Sequence, residues 1–261
     1  MIAALRAELV KLRRRRVLIV TAATTIVFTI GSTAIVLASA ERSGNPRDRG
    51  VTLESLSHAG GGTEVFTTAV SFAGTFLFVV FVGAVAVEFS RGTFRTMLLH
   101  QPGRIRLLAG KMAAMLAFAA VVLAAAETLT WLGAKLLAPW QDVASGEWVS
   151  AAALGDALAD YGSVLFWVTG YAILGMTLAV LVRSVPVALA IGIAWAGPFE
   201  HLLQDAWSPA ERLFPGLLLE SFVAGGTADV SVSRALLTVT IYVLIGAGIA
   251  ATTFARRDIT A

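Results

Sequence analysis

The sequence predicts an all-α polytopic membrane protein: six transmembrane helices, an N-terminal amphipathic helix at the membrane interface, and a short helix in a cytoplasmic connection. Three observations carry that prediction. Charged residues make up only 14% of the 261 residues and the mean hydropathy is +0.80, whereas soluble domains carry about 25% charged residues. Six runs are apolar and nearly charge-free over the roughly 20 residues needed to cross a bilayer. Lysine and arginine are distributed asymmetrically between the ends of those runs.

In order along the chain, Ile2, Leu5, Leu9 and Leu12 repeat at helical spacing, with Arg6, Glu8 and Lys11 around the rest of the turn. A basic amphipathic helix of this kind is expected to lie in the headgroup layer, with membrane lipid as its partner. The spans are expected at 17–40, 65–88, 112–134, 161–182, 184–204 and 235–255, forming one transmembrane domain over 1–261. Each is apolar on all sides, as a membrane span is and an amphipathic surface helix is not. The first is preceded by Arg13–Arg16 and ends in Ala38-Ser39-Ala40, an imitation of a cleavable signal. Its length exceeds the roughly 7–15 residues of a signal core, so a retained span is expected. Gly197-Pro198 is expected to distort the fifth.

With the N-terminus inside, fourteen Lys and Arg residues lie on the cytoplasmic side and six on the other. By the positive-inside rule both termini are cytoplasmic. Arginine outnumbers lysine 17 to 3, a codon bias that suggests a high-GC bacterium and hence its cell membrane. The outer connections are then 41–64, 135–160 and 205–234. In the first, Gly44-Asn45-Pro46 and Gly60-Gly61-Gly62 read as flexible linker. In the third, Trp207 and Leu213–Leu219 are too apolar to float and too short to span, which fits a re-entrant or interfacial segment.

Composition excludes much chemistry. The chain has no cysteine, and His58, His100 and His201 are far apart in sequence. Disulfides, thiolate metal sites and a Cys nucleophile are ruled out, and no metal or cofactor is expected. Gly103…Gly110-Lys111 imitates a phosphate-binding loop, but Ile105 and Met112 break the pattern. This chain is therefore not expected to bind ATP through a P-loop, nor to be an enzyme.

The connection between spans two and three, Glu88 to Lys111, carries the most information. Thr93–Leu99 can form a short helix with Phe94, Met97 and Leu98 on one side, ended by Pro102-Gly103. A bulky apolar face flanked by arginine suits a groove on a partner protein. The pattern E-x-x-x-G-T-x-R-x-x-L from Glu88, followed by P-x-R-x-x-x-x-x-G-K ending at Lys111, resembles the permease subunits of type-2 ABC exporters. The basic lead-in Glu8–Arg13 and the terminal Phe254–Asp258 belong to the same resemblance, which covers essentially the whole chain. The resemblance implies that this connection is a coupling helix docking on a separate ATP-binding subunit at the cytoplasmic face. Glu88, Arg91, Gly92, Thr93, Phe94, Arg95, Pro102 and Arg104 would make or brace that contact. It also implies a second permease chain, as homodimer or heterodimer, and no nucleic acid among the partners.

Two carboxylates lie at membrane depth. Glu127 is 16 residues past Lys111 and Glu200 is 17 past Arg183, so both sit about 24–25 Å in at 1.5 Å per residue. Intramembrane acids are costly unless paired or hydrated. Both are therefore expected to line a hydrated cavity on an export route, or each to serve an interhelical hydrogen bond. An exporter permease is the leading functional expectation; a non-transporting anchor or assembly factor and an intramembrane enzyme are the alternatives. The substrate is not legible.

Overall fold

A computed structural model describes residues 2–40, 51–71, 73–100 and 102–257. The Gly44-Asn45-Pro46 linker, Arg42, Arg47, Arg49 and the terminal Asp258 lie outside the described residues. The described residues are predominantly helical, with no strand among them. Helix α1 covers Ile2–Leu12, α2 Arg15–Ser39, α3 Leu53–Leu56, α4 Gly61–Ser71, α5 Gly74–Ser90, α6 Thr93–His100 and α7 Arg104–Leu137. After two short 3₁₀ turns come α8 at Ala151–Val182 and α9 at Val185–Ala194, a π-helical turn at Trp195–Phe199, and α10 at Glu200–Ala206. A 3₁₀ turn at Ser208–Arg212, α11 at Pro215–Val223 and α12 at Val232–Arg256 complete the chain.

Five helical stretches are long and apolar enough to cross a membrane, and a sixth arises only if α4 and α5 count as one broken span. The run expected at 65–88 is thus carried by two helices. Two others extend well beyond their apolar cores: α7 starts at Arg104 and not near 112, and α8 at Ala151 and not near 161. Hydrogen bonding propagates a helix past the last apolar residue wherever good helix formers continue. The apolar surface also points outward. Val27, Leu237 and Leu244 are 73%, 64% and 67% exposed on α2 and α12. Water does not tolerate such continuous patches, and the protein is membrane-embedded.

The chain forms two compact units. The first comprises Met1–Leu12, Ala73–Phe118 and Trp167–Ala261; the second comprises Arg13–Phe72 and Ala119–Phe166. In the first unit α5 packs on α9, and α11 on α12. Gly175 and Gly192 allow the close approach around Phe78: a Cβ at either would lie 3.2–3.3 Å from that residue's atoms. Pro198 lies inside the π-helical turn, which realises the expected distortion. Freed carbonyls there find partners, Ala196 O from the Thr75 hydroxyl at 2.7 Å and Gly197 O from the His201 ring at 2.9 Å.

In the second unit Val36, Leu37, Leu56, Val65, Ala134 and Trp148 form the core. Gly60-Gly61-Gly62 is not a flexible linker, as its composition suggests. Gly61 begins α4 with its Cα against the Leu56 backbone, where a Cβ would overlap the carbonyl. At Gly62 a Cβ would stand 2.7 Å from Trp131 and 3.1 Å from Trp148. These glycines are spacers for close packing.

Candidate functional site

The Glu88–Lys111 connection lies in the first unit, and its parts are fixed from three directions. Helix α5 ends at Arg91, and Gly92 follows at φ +66°. That left-handed position is where glycine closes a helix without a Cβ penalty. Thr93 donates its hydroxyl to Glu88 O at 3.1 Å, and α6 then runs to His100. Pro102 and Gly103 separate it from α7, as expected.

Beneath this elbow lies a cluster of four charges. Lys111 Nζ is 2.8 Å from Glu88 Oε1 and 3.4 Å from Glu8 Oε2. Lys11 Nζ is 2.7 Å from Glu8 Oε1 and 3.1 Å from Glu88 Oε1. Glu8, Glu88 and Lys111 are 6%, 8% and 5% exposed. The two carboxylates and two ammoniums cancel, which is how charges can be buried at all. Burial works against the Lys11 charge, but the hydrogen bonds and charges of Glu8 and Glu88 outweigh it and hold the pKa above the ordinary lysine value. The Lys11 contribution to stability is therefore complete below pH 10.5, the ordinary value, and is lost only as pH rises through the raised folded one.

The cluster shows which side of α1 meets the protein. Its inward stripe holds Ala4 and Glu8, while Ile2 is 66% exposed. The helix is tied to the elbow through ions, and its exposed Ile2 is compatible with the expected contact with lipid. Glu8, Lys11 and Lys111 were not singled out from sequence as a site. The available signal was that opposite charges at helical spacing, Glu8 and Lys11, share a membrane flank with Glu88 and Lys111.

Phe94 is also repositioned. It is fully buried, with its ring centroid 4.6 Å from Phe89 and 5.1 Å from Phe254. Phe94 thus faces inward, while Met97 and Leu98 on the same side are half-buried. What α6 exposes is Arg95, Thr96 and Leu99, with Arg91 and Gly92 in the preceding turn. Arg104 donates to Ala255 O at 3.1 Å and Arg257 O at 2.9 Å, which satisfies the last carbonyls of α12. Arg183 adopts a left-handed backbone, φ 57°, between α8 and α9 and places its guanidinium 5.3 Å from the Phe89 ring. Burial and the charges of Arg257 and Arg104 hold its pKa below the usual arginine value.

The two membrane acids have different surroundings. Glu200 is 2% exposed, and its Oε2 accepts the Leu217 N–H at 3.0 Å. Leu217 lies in the first turn of α11, whose N–H groups lack intrahelical partners. A Cβ at Gly216 would overlap this carboxylate. Glu200 therefore caps α11 from outside, the interhelical hydrogen bond that was the alternative expectation. The segment expected to be re-entrant or interfacial is this helix, with Leu217, Leu218 and Leu219 fully buried. Glu200→Leu is expected to destabilise the protein by about 1–3 kcal/mol by orphaning a buried donor. Glu200→Gln, which keeps an acceptor, should retain most of the stability; thermal unfolding in detergent compares them.

Glu127 does line a cavity, an open groove of about 890 Å³ within the second unit. Ala124, Glu127, Thr128 and Trp131 form one helical stripe of α7, and Leu154, Ala157, Leu158 and Tyr161 one of α8. Alanines on both stripes leave the space. Glu127 Oε1 is buried and has no hydrogen-bond partner among the described residues. The indole of Trp148, a wall residue, is fixed by its N–H to Leu56 O at 2.9 Å, and the Tyr161 hydroxyl donates to Ala120 O at 2.9 Å. The aromatic members of the groove gave no signal in the sequence, because they come from distant segments.

No protein-family model matches the sequence, and no curated protein matches it.

Proposed function

We propose that this chain is the membrane-spanning permease subunit of an ATP-driven ABC exporter in a bacterial cell membrane. In this reading α4 and α5 together make one of six spans and both termini are cytoplasmic. A separate ATP-binding subunit supplies the energy, and a second permease chain, identical or different, completes the pathway. The observation that supports it best is the elbow α5–α6–α7. A short helix exposing Arg95, Thr96 and Leu99 is held from below by the Phe89–Phe94–Phe254 cluster and by four buried charges. Such a helix moves with the spans it joins, which is what transmission of a force from a bound partner requires. The Gly103–Lys111 segment is helical from Arg104 and lacks the residue pattern of a phosphate-cradling loop. The mismatches at Ile105 and Met112 favour a separate subunit as the seat of ATP hydrolysis.

The reading is tested by purifying the chain with any protein that co-elutes under mild detergent. An ATP-hydrolysing subunit is expected. Arg95→Glu, on the exposed side of α6, should weaken its retention by about tenfold or more, since a like-charge or desolvated mismatch at an interface costs a few kcal/mol. Thermal stability of the isolated chain should not change. A chain that elutes without any ATPase, from a host that encodes one beside it, would favour an anchor instead.

A further inference from the structure

We propose that the groove between the α7 and α8 stripes of the second unit is a binding site for an amphipathic organic cation, with Glu127 as its counter-ion. The walls and the charge lead to this occupant. Trp131, Trp148 and Tyr161 present aromatic surface, and the remaining lining is mostly Ala and Leu. A volume of about 890 Å³ falls in the range of small-molecule pockets, about 300–1,000 Å³. Among the described residues Glu127 is the only ionisable group in the lining apart from the Tyr161 phenol, whose hydrogen is already donated to Ala120 O.

The acids described near the groove add to its negative charge. Asp160 is close enough to act electrostatically on Glu127, and Asp156 in turn on Asp160. Among the described residues no lysine or arginine lines the groove. The nearest cation described is Lys135, one turn beyond Trp131 on α7, with its ammonium 4.9 Å from that ring. An anion, or a neutral occupant without a hydrogen-bond donor, would leave the buried Oε1 of Glu127 without a partner in apolar surroundings, which is unfavourable. A cation with an apolar body pairs that oxygen, takes up the π faces and displaces lipid from the rest.

The geometry is also preorganised. Gly62 has no Cβ to crowd Trp131 and Trp148, and the Trp148 indole is locked by Leu56 O. Little order need be imposed when a ligand enters. As the exporter's cargo, this cation rests on the permease reading. As a binding site it does not.

The test is equilibrium binding of radiolabelled tetraphenylphosphonium to the purified full-length chain in nanodiscs of zwitterionic lipid, without ATP or any partner. Saturable binding is expected. Glu127→Gln should weaken it by about tenfold or more, the order of a lost charge-assisted contact. Trp131→Leu, which keeps apolar bulk but removes the π face, should weaken it severalfold, and Lys135→Ala should tighten it. The isosteric anion tetraphenylborate should not bind at the groove. No saturable binding, equal affinity in Glu127→Gln, or equal binding of the anion would overturn the site and mark the groove as a seat for lipid chains. Because no ATPase enters the measurement, its failure leaves the permease reading open to other cargo. Loss of the ATPase partner likewise leaves the binding result intact.

Discussion

Lys111→Met is expected to lower the unfolding free energy by about 3–5 kcal/mol, the scale of removing one partner from a buried ion pair. The side chain is 6% exposed and stands between Glu8 and Glu88, so its loss leaves two buried carboxylates facing each other with only Lys11 to neutralise them. Methionine keeps the volume, so the deficit is electrostatic and not a cavity. Lys11→Met makes a control within the same cluster. Its side chain is 38% exposed, water can solvate what it leaves behind, and the expected loss is about 1 kcal/mol or less. Thermal midpoints of the two variants in the same detergent decide the matter. Equal losses would mean that the cluster is not the buried network described.

A second large effect is expected at Phe94. Phe94→Ala removes a fully buried ring from between Phe89 and Phe254 and should cost about 3–5 kcal/mol, as truncation of a core aromatic does. The consequence for coupling is specific. With its anchor gone, α6 is no longer held to the ends of α5 and α12. ATPase stimulation in a reconstituted complex should then fall together with thermal stability. Arg95→Glu should lower the first and spare the second. If Phe94→Ala left stability unchanged while abolishing partner binding, the ring would have to face the partner, contrary to its burial. The pair of variants separates holding the helix from using it.

The Gly-Thr-Phe-Arg order shows how far a pattern in sequence can be taken. Its place between two spans and its short helix, expected at Thr93–Leu99 and observed at Thr93–His100, were both legible, because Gly92 and Pro102-Gly103 punctuate the chain locally. The direction of its apolar side was not. Phe94, Met97 and Leu98 mark one side of a helix, but whether that side meets a partner or the protein itself depends on where Phe254 arrives from the other end of the chain. Arg104 repeats the point. Its charge is local, but its task of capping α12 depends on a contact 153 residues away in sequence. Glu127 and Glu200 looked equivalent by depth. They differ because Gly216 brings the start of α11 onto Glu200, while alanines on α7 and α8 leave Glu127 facing open space.

The sequence by itself determined residence in the membrane, the approximate helices and the absence of thiol chemistry. Those properties follow from composition and from periodicities shorter than one span, where transfer of each side chain into lipid acts independently of the fold. The tertiary structure alone decided which charges are buried together, which face of α6 is available, and which membrane acid caps a helix and which lines a groove. Each of those outcomes is a meeting of side chains from distant segments. Its energy depends on distances of a few ångströms, as between Lys111 and Glu88 at 2.8 Å, that no local pattern encodes.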